Sequence, residues 1–229
     1  MVKIAGLQKL TLLDYPGKVA ATVFTGGCNF CCPFCHNASI VLGKEQTISE
    51  TDFFAFLNKR KGLLEGVCIS GGEPLIQSGL TDFIIKIKSL GYLVKLDTNG
   101  SFPDKLKELV KAGLVDYVAM DIKNSPSGYV KTSGITESKN LIDGILESAA
   151  FLLTKAVEYE FRTTVVNGFH TTDDFIEIGK WIKGADKCFL QNFTDSGDII
   201  QPGLKGVDQA VMASFANIVR EYVPSVQIR

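Results

Sequence analysis

The sequence predicts an α/β fold, a partial, open (β/α)6 barrel of the TIM type, formed by a single domain of residues 1–229. Six short apolar runs alternate with six amphipathic segments, and such alternation implies parallel strands joined by right-handed crossovers. No Pro/Gly/Ser-rich linker, low-complexity tract or charge block divides the chain. Six repeats are too few for a closed eight-unit barrel, and alternation alone leaves a doubly wound sheet as the other fold.

The elements follow from the positions of these runs. The predicted strands lie at 19–24, 66–70, 92–96, 117–120, 160–166 and 187–191. The predicted helices lie near 50–61, 79–90, 103–112, 138–153, 173–183 and 208–221. Ser49 with Asp52 and Thr171 with Asp174 have the spacing of capping boxes at two helix starts. Pro103 suits the first turn of another helix, where its missing N–H has no intrahelical partner to lose.

Composition narrows the functional class. The chain has 229 residues, 45% of them hydrophobic, which is enough for one sizeable core. Its formal net charge of −1 gives no general argument for nucleic-acid binding. The first residues contain no signal peptide, and no apolar run reaches the length of a membrane span. We therefore expect a soluble cytoplasmic protein with neither a nucleic acid nor a membrane as its partner.

The most informative segment is a cysteine-rich run at 28–35, which reads Cys-Asn-Phe-Cys-Cys-Pro-Phe-Cys. Within it, Cys28, Cys32 and Cys35 have the spacing C-x3-C-x2-C. Three thiolates this close can hold three corners of an iron–sulfur cube and leave the remaining iron without a protein ligand. An open coordination position indicates chemistry rather than simple electron storage. We expect Cys31, the odd member of the run, to face away from the cluster.

Other interpretations of the cysteines stay open at this point. The run also divides into two abutting C-x2-C pairs, but structural zinc pairs normally have a loop of a dozen or more residues between them. A closed electron-transfer cluster would need a remote cysteine. Cys68 and Cys188 are the remote ones, and each is isolated in an apolar run typical of a buried strand. A disulfide is disfavoured in a cytosolic chain.

Polar residues follow the predicted strands where each strand ends, which is where barrels of this kind gather their chemistry. The strand-end segments are Thr25-Gly26-Gly27, Gly71-Gly72-Glu73-Pro74, Asp97-Thr98-Asn99-Gly100 and Asp121-Ile122-Lys123. Four consecutive strands thus place polar residues at one rim. Arg162 is a further polar residue, which interrupts an otherwise apolar strand and therefore requires an anionic partner if it is buried.

In this context the cysteine spacing resembles the signature of the radical S-adenosylmethionine (SAM) superfamily. The aromatic Phe34 and the Cys35-His36-Asn37 ending resemble its glycyl-radical-enzyme activating branch. The resemblance extends from Asp14 to Arg162 and is greatest to the activating proteins of anaerobic ribonucleotide reductase and pyruvate formate-lyase. It implies the partial barrel, a [4Fe–4S] cluster on the three cysteines, and SAM as second cofactor.

The resemblance also implies roles for individual residues. The GGEP segment is similar to the motif that contacts the amino group of SAM. The strand-end segments with Asp97 and Asp121 are similar to residues around the ribose and carboxylate of SAM. In the family, these two aspartates can also hold a monovalent cation. Arg162 would meet the carboxylate, and Phe34 would stack near adenine or belong to the core. The implied SAM-binding residues are Phe34, Gly71, Gly72, Glu73, Asp97, Asn99, Asp121, Lys123 and Arg162.

Three further positions are less defined. His36 is expected to orient the cysteine loop, and His170 is expected to be a solvated histidine in a turn. Gln191 or Asn192 stands where some members of the family carry a histidine that faces SAM, so this contact departs from the family pattern.

The implied function is the activation of a partner enzyme. Flavodoxin or ferredoxin would reduce the cluster, SAM would be cleaved to methionine and a 5′-deoxyadenosyl radical, and that radical would take a hydrogen atom from a glycine of a glycyl radical enzyme, first of all anaerobic ribonucleotide reductase. No side chain is predicted as a catalytic acid or base, because the cofactors carry the chemistry. The alternatives are a radical SAM enzyme acting on a small molecule, resembling 7-carboxy-7-deazaguanine synthase, and a non-catalytic metal-binding module.

Overall fold

The computed structural model describes residues 1–44, 46–135 and 139–229, and these residues form one sheet with the strands in sequence order, β1 to β8. The strands are β1 Ile4–Thr11, β2 Ala20–Thr25, β3 Gly66–Gly71, β4 Leu93–Thr98, β5 Tyr117–Asp121, β6 Glu158–Val165, β7 Cys188–Asn192 and β8 Val226–Ile228. The helices are α1 Ala38–Val41, α2 Glu50–Lys59, α3 Leu80–Ser89, α4 Pro103–Lys111, α5 Tyr129–Ser133, α6 Lys139–Leu153, α7 Thr172–Trp181 and α8 Gln209–Arg220, with a 3-10 helix at Pro74–Ile76.

The strand order confirms the predicted fold class. Strand β1 is antiparallel to β2, whereas β2 with β3, β3 with β4, β6 with β7 and β7 with β8 are parallel. Neighbours in the sheet are neighbours in sequence, so the order lacks the reversal that defines a doubly wound sheet. The six predicted strands correspond to β2–β7. Strands β1 and β8 were not predicted, because β1 has three exposed residues in a row and β8 has only three residues.

The helix starts agree with the predicted capping residues, with one difference. At α7, the Thr171 side chain accepts from the Asp174 N–H and the Asp174 side chain accepts from the Thr171 N–H, a complete capping box. At α2, Ser49 accepts from the Asp52 N–H, but the Asp52 carboxylate receives the Ser49 hydroxyl instead of its N–H. Pro103 begins α4, as predicted. The helix predicted near 138–153 is α6, and the first residue of that range lies outside the described residues.

The chain divides into two compact units. The first comprises Met1–Asn29, Ser39–Thr98 and Asp104–Val118, and stacked Phe53 and Phe83 rings, with centroids 5.2 Å apart, lie in its core. The second comprises Phe30–Ala38, Asn99–Pro103 and Ala119–Arg229, and its Phe175 and Phe215 rings stack at 4.3 Å. Cys68 in the first unit and Cys188 in the second are fully buried, as predicted. None of the helices formed by the described residues is long and apolar enough to cross a membrane.

Candidate functional site

In the first unit, the end of β3 touches the loop that carries the first cysteine of the run. The Gly72 N–H donates to the Thr25 carbonyl at 3.0 Å, and the Glu73 N–H donates to the Gly27 carbonyl at 3.0 Å. A Cβ at Gly72 would overlap the Gly27 carbonyl oxygen, and one at Gly71, where φ is +115°, would overlap the Thr25 backbone. The paired glycines therefore allow backbone to approach backbone, and this fixes the GGEP segment against the cysteine loop.

Glu73 is fully buried and takes part in the local structure of the first unit. Its Oε1 accepts a hydrogen bond from the Thr98 hydroxyl at 2.9 Å and another from the Leu75 N–H at 3.0 Å. The second bond caps the 3-10 helix Pro74–Ile76. The carboxylate of the GGEP segment is thus held in one orientation by the end of β4 and by its own helix.

Asp97 at the end of β4 forms an ion pair with Lys95, which is not among the predicted site residues. Both lie on the same face of β4 because side chains alternate along a strand. The Lys95 side chain is 1% exposed, and its Nζ lies 3.7 Å from the Sγ of Cys68 on β3. The Ser70 hydroxyl donates to the other carboxylate oxygen of Asp97 at 2.9 Å. The signal that could have found Lys95 is a charge inside an apolar strand, two residues before an aspartate.

In the second unit, the cysteine loop packs on the end of α5. The Cys31 N–H donates to the Ser133 carbonyl at 2.9 Å, and the Cys35 N–H donates to the Cys32 carbonyl at 3.0 Å. A Cβ at Gly134, where φ is +64°, would overlap the Cys31 carbonyl oxygen. The Cys31 side chain is exposed, whereas Cys32 is buried and Cys35 half-buried. The backbone of Cys31, and not its thiol, therefore connects the loop to the fold.

Burial is the largest effect on the pKa values of the Cys32 and Cys35 thiols, called the inner thiols below. It raises the pKa of Cys32 to about 11 and also raises the pKa of Cys35, although the nearby Lys123 ammonium acts in the opposite direction on both. Thiolates are the ligand form of cysteine, and binding to a metal favours that form. The inner thiols are consequently neutral in the protein alone and would release protons on binding a cluster.

Asp121 joins two cations at the end of β5 in the second unit. Its Oδ1 accepts from Arg162 Nε at 3.0 Å and its Oδ2 from Lys123 Nζ at 2.9 Å. Burial alone would raise the pKa of Asp121, but the charges of Arg162 and Lys123 hold the pKa of this carboxyl well below its usual range. Tyr129 supports the segment, since its hydroxyl accepts from the Lys123 N–H at 3.2 Å and donates to the Asp121 carbonyl at 3.3 Å. The structure thus brings together three predicted residues, Asp121, Lys123 and Arg162.

Phe34 and His170 form part of the core of the second unit. The Phe34 ring meets the Phe169 ring edge-on at 5.8 Å and lies 6.4 Å from the His170 ring. The prediction that His170 is solvated is wrong, because the side chain is 6% exposed. Its Nδ1 accepts from the Val166 N–H at 3.2 Å and its Nε2 lies 2.9 Å from the Lys123 carbonyl. The turn after β6 folds back on the strand ends instead of extending into solvent.

The segment after β7 holds the cysteine loop from the other side. His36 stacks on Phe193 at 5.1 Å, and its Nε2 lies 2.8 Å from the Thr194 carbonyl. The Gln201 N–H donates to the Pro33 carbonyl at 2.9 Å. These contacts agree with the expectation that His36 orients the loop.

Asn192 and Asn99, two amide side chains near the strand ends, make local hydrogen bonds. Asn192 pairs with the backbone of Val207 through bonds of 2.8 and 2.9 Å, so it holds the segment after β7. Asn99 accepts from the N–H and the hydroxyl of Ser101 at 3.0 and 2.6 Å, which closes a turn before α4.

The predicted residues are divided between the two units. The first unit holds Cys28, Gly71, Gly72, Glu73 and Asp97, and the second holds Phe34, Cys32, Cys35, Asn99, Asp121, Lys123 and Arg162. Among the residues that the structure describes, no three His, Cys, Asp or Glu side chains converge around a single metal ion. A [4Fe–4S] cube does not require such convergence, because each thiolate binds its own iron.

Comparisons with known proteins agree on one family. The sequence model of the Radical SAM superfamily matches residues 22–182. A protein of Methanocaldococcus jannaschii that carries the name glycyl-radical enzyme activating enzyme is 31% identical over 233 aligned positions, covering 99% of this chain and 95% of its own length. The pyruvate formate-lyase-activating enzyme of Clostridium pasteurianum is 32% identical over 201 positions, covering 83% of this chain and 81% of its own length.

Two solved structures have the same fold. SuiB of Streptococcus suis, solved with bound SAM, has a TM-score of 0.67 and 15% identity, covering 89% of this chain and 48% of its own. QueE of Escherichia coli has a TM-score of 0.55 and 16% identity, covering 100% of this chain and 93% of its own. At such identities these structures bear on the fold alone.

Proposed function

The chain belongs to the radical SAM superfamily, and we propose that it is the activating enzyme of a glycyl radical enzyme, specifically of an anaerobic ribonucleotide reductase. The observation that carries this proposal is the near full-length similarity to a protein named as an activating enzyme, together with the Cys35-His36-Asn37 ending of the cysteine loop. The ribonucleotide reductase as the particular partner rests on the sequence resemblance. Clustered thiols and radical chemistry both suit the reducing cytoplasm, where we place the protein.

Members of this superfamily use a [4Fe–4S] cluster and SAM. In this chain Cys28, Cys32 and Cys35 would hold the cluster. The loop that carries Cys32 and Cys35 is fixed by backbone hydrogen bonds rather than by Cys31 Sγ. When bound, the cluster and SAM supply the radical chemistry by reductive cleavage of the S–C5′ bond of SAM.

The side chains of the chain would bind and orient SAM. Asp121, Lys123 and Arg162 together carry a net charge of +1, which suits the SAM carboxylate, and Asp121 fixes the direction of both cations. Glu73, already fixed in one orientation, would accept from the SAM amino group, and the Gly71–Gly72 backbone would border it. Asp97 and Asn99 would lie at the ribose, and Phe34, whose ring packs against Phe169, would stack near the adenine.

The experiment begins with the first half of the reaction. The protein is reconstituted anaerobically with iron and sulfide, reduced, and mixed with SAM, and methionine and 5′-deoxyadenosine are quantified by chromatography. We expect cleavage by the wild type and by Cys31→Ala, and none by Cys32→Ala, which is the matched variant one residue away. Reduction by flavodoxin or ferredoxin should replace a chemical reductant.

The second half identifies the substrate. The reduced protein and SAM are mixed with an anaerobic ribonucleotide reductase, with pyruvate formate-lyase as a comparison, and electron paramagnetic resonance spectra are recorded. A glycyl-radical doublet that grows with 5′-deoxyadenosine confirms the activase, and the partner that yields it is the substrate. Vigorous SAM cleavage without a radical on either partner would replace this proposal with the small-molecule radical SAM enzyme. Absence of SAM cleavage would favour the metal-binding module.

A further inference from the structure

We propose that Lys95 supplies, as a built-in ammonium, the positive charge that a monovalent cation would otherwise supply beside Asp97, so that SAM binding by this protein is independent of Na⁺ and K⁺. The inference rests on the proposed function in one respect, because it assumes that SAM binds at these strand ends. It concerns the monovalent cation that the family resemblance implies for the two strand-end aspartates. The residues present do not fit that cation.

The first reason is the pairing of Asp97 within its own unit. One carboxylate oxygen pairs with Lys95 Nζ, and the other accepts the Ser70 hydroxyl at 2.9 Å. A monovalent cation at this carboxylate would carry the same charge as the ammonium and would lie within a few ångströms of it. Like charges at such a distance repel strongly in a buried site, where the effective dielectric constant is low.

The second reason is the pairing of Asp121 within the other unit. Both oxygens accept from cations, one from Arg162 Nε at 3.0 Å and one from Lys123 Nζ at 2.9 Å. Each strand-end aspartate therefore already carries at least one positive partner supplied by the chain. A bound Na⁺ or K⁺ would add a charge to pairs that are already neutral or positive.

The third reason is the position of Lys95 itself. Its side chain is 1% exposed, between the buried residues Val94 and Leu96, and a lysine is rarely found so deep in a protein. Burying an ammonium is costly unless an anion is paired with it, so Lys95 and Asp97 depend on each other. Unlike a free ion, the tethered ammonium is present at this carboxylate at every salt concentration.

The test measures SAM binding rather than turnover. The anaerobically reconstituted protein is titrated with SAM by calorimetry in choline chloride, NaCl and KCl at equal ionic strength. For the wild type we expect SAM dissociation constants that agree within about twofold in the three salts. Lys95→Met should bind SAM more weakly in choline chloride and recover affinity by about fivefold or more in NaCl or KCl, because the small ion can then take the vacated position.

The matched control is Lys88→Met in the same unit. Lys88 Nζ contacts both oxygens of Asp116 at 2.8 Å, so this variant also removes a lysine–aspartate pair, but one that lies outside the proposed site. It should bind SAM like the wild type in all three salts. If Lys95→Met does not fold, the double variant Lys95→Met/Asp97→Asn removes both charges and should fold without a response to Na⁺ or K⁺.

The outcomes separate the inference from the proposed function. Wild-type SAM binding that tightens by about fivefold or more in NaCl or KCl overturns the inference and restores the monovalent cation. So does Lys95→Met that binds SAM like the wild type in choline chloride, or a double variant that responds to the ion. Failure of the wild type to bind SAM in any salt would instead contradict the proposed function.

Discussion

The side chains of Arg162 and Asp121 form an ion pair, and the Arg162 backbone also bonds to Ile122, the residue after Asp121. Arg162 Nε donates to Asp121 Oδ1 at 3.0 Å, and the Ile122 N–H donates to the Arg162 carbonyl at 2.8 Å. Lys123 Nζ binds the second oxygen of the same carboxylate at 2.9 Å. The geometry makes Asp121 a positioning residue, because it sets the direction of two cations through its two oxygens.

The first prediction concerns this arrangement. Asp121→Asn should weaken SAM binding by about 10- to 100-fold, since hydrogen bonds between charged groups contribute about 1.5–3 kcal/mol and the variant leaves two cations with a neutral partner. The iron content of the cluster should not change. Calorimetric titration with SAM measures the first quantity and a colorimetric iron assay the second.

The control for Asp121→Asn is Glu177→Gln, which removes the carboxylate of the exposed Lys180–Glu177 pair at 2.8 Å. This pair is on the surface of α7, so SAM affinity and stability should remain near the wild-type values. A lowered melting temperature of Asp121→Asn with unchanged SAM affinity would show that the three residues are a structural ion-pair group instead.

The second prediction concerns the cysteine loop. Ala in place of Cys28, Cys32 or Cys35 should abolish the cluster, measured as iron, sulfide and visible absorption after anaerobic reconstitution. Cys31→Ala should keep the cluster, because the Cys31 side chain is exposed and only its backbone holds the loop. A cluster that survives in Cys32→Ala and disappears in Cys31→Ala would contradict this assignment and favour the two C-x2-C pairs.

The third prediction concerns the contact between the GGEP segment and the cysteine loop. In Gly72→Ala the new Cβ would overlap the Gly27 carbonyl oxygen, and the backbone has to shift. We expect a loss of about 1–3 kcal/mol in stability, as for other overpacked sites, together with poor incorporation of the cluster. Gly6→Ala is the matched control, because the atom nearest to its Cβ would be on the Phe24 side chain at 3.4 Å, an ordinary contact. Equal melting temperatures for the two variants would argue against a tight contact at Gly72.

The sequence predicts much of this fold because β2–β7 are largely apolar runs, and four of them, β2–β5, lead into polar residues. Strand β1 cannot be predicted in this way, because its residues from Gln8 to Leu10 are exposed and do not form an apolar run. Its pairing with β2 depends on tertiary contacts. The parallel order of the sheet follows from the alternation of strands and helices. The short helices α1 and α5 are not part of that alternation and could not be predicted from it.

Residues that support the site through contacts distant in sequence are harder to predict. Asp121 and Lys123 follow a strand directly, so their position is visible in the sequence. Tyr129 and His170 lie 8 and 49 residues after Asp121, and they meet that segment only because α5 and the turn after β6 fold over it. Sequence spacing does not report such contacts, because loop conformation brings them together.

The last prediction concerns pH and follows from the burial of His170. Burial lowers the pKa of His170 below the ordinary value of 6.5, and it outweighs the hydrogen bonds to the Lys123 and Val166 backbone, which act in the opposite direction. Between the two pKa values the unfolded chain binds a proton that the native protein does not bind, so stability falls as the pH decreases below about 6.5 and levels off below the native pKa.

His170→Gln should therefore lose less of its melting temperature than the wild type between pH about 7.5 and about 5.5. Parallel melting curves for wild type and His170→Gln across this pH range would show that His170 is not the group responsible.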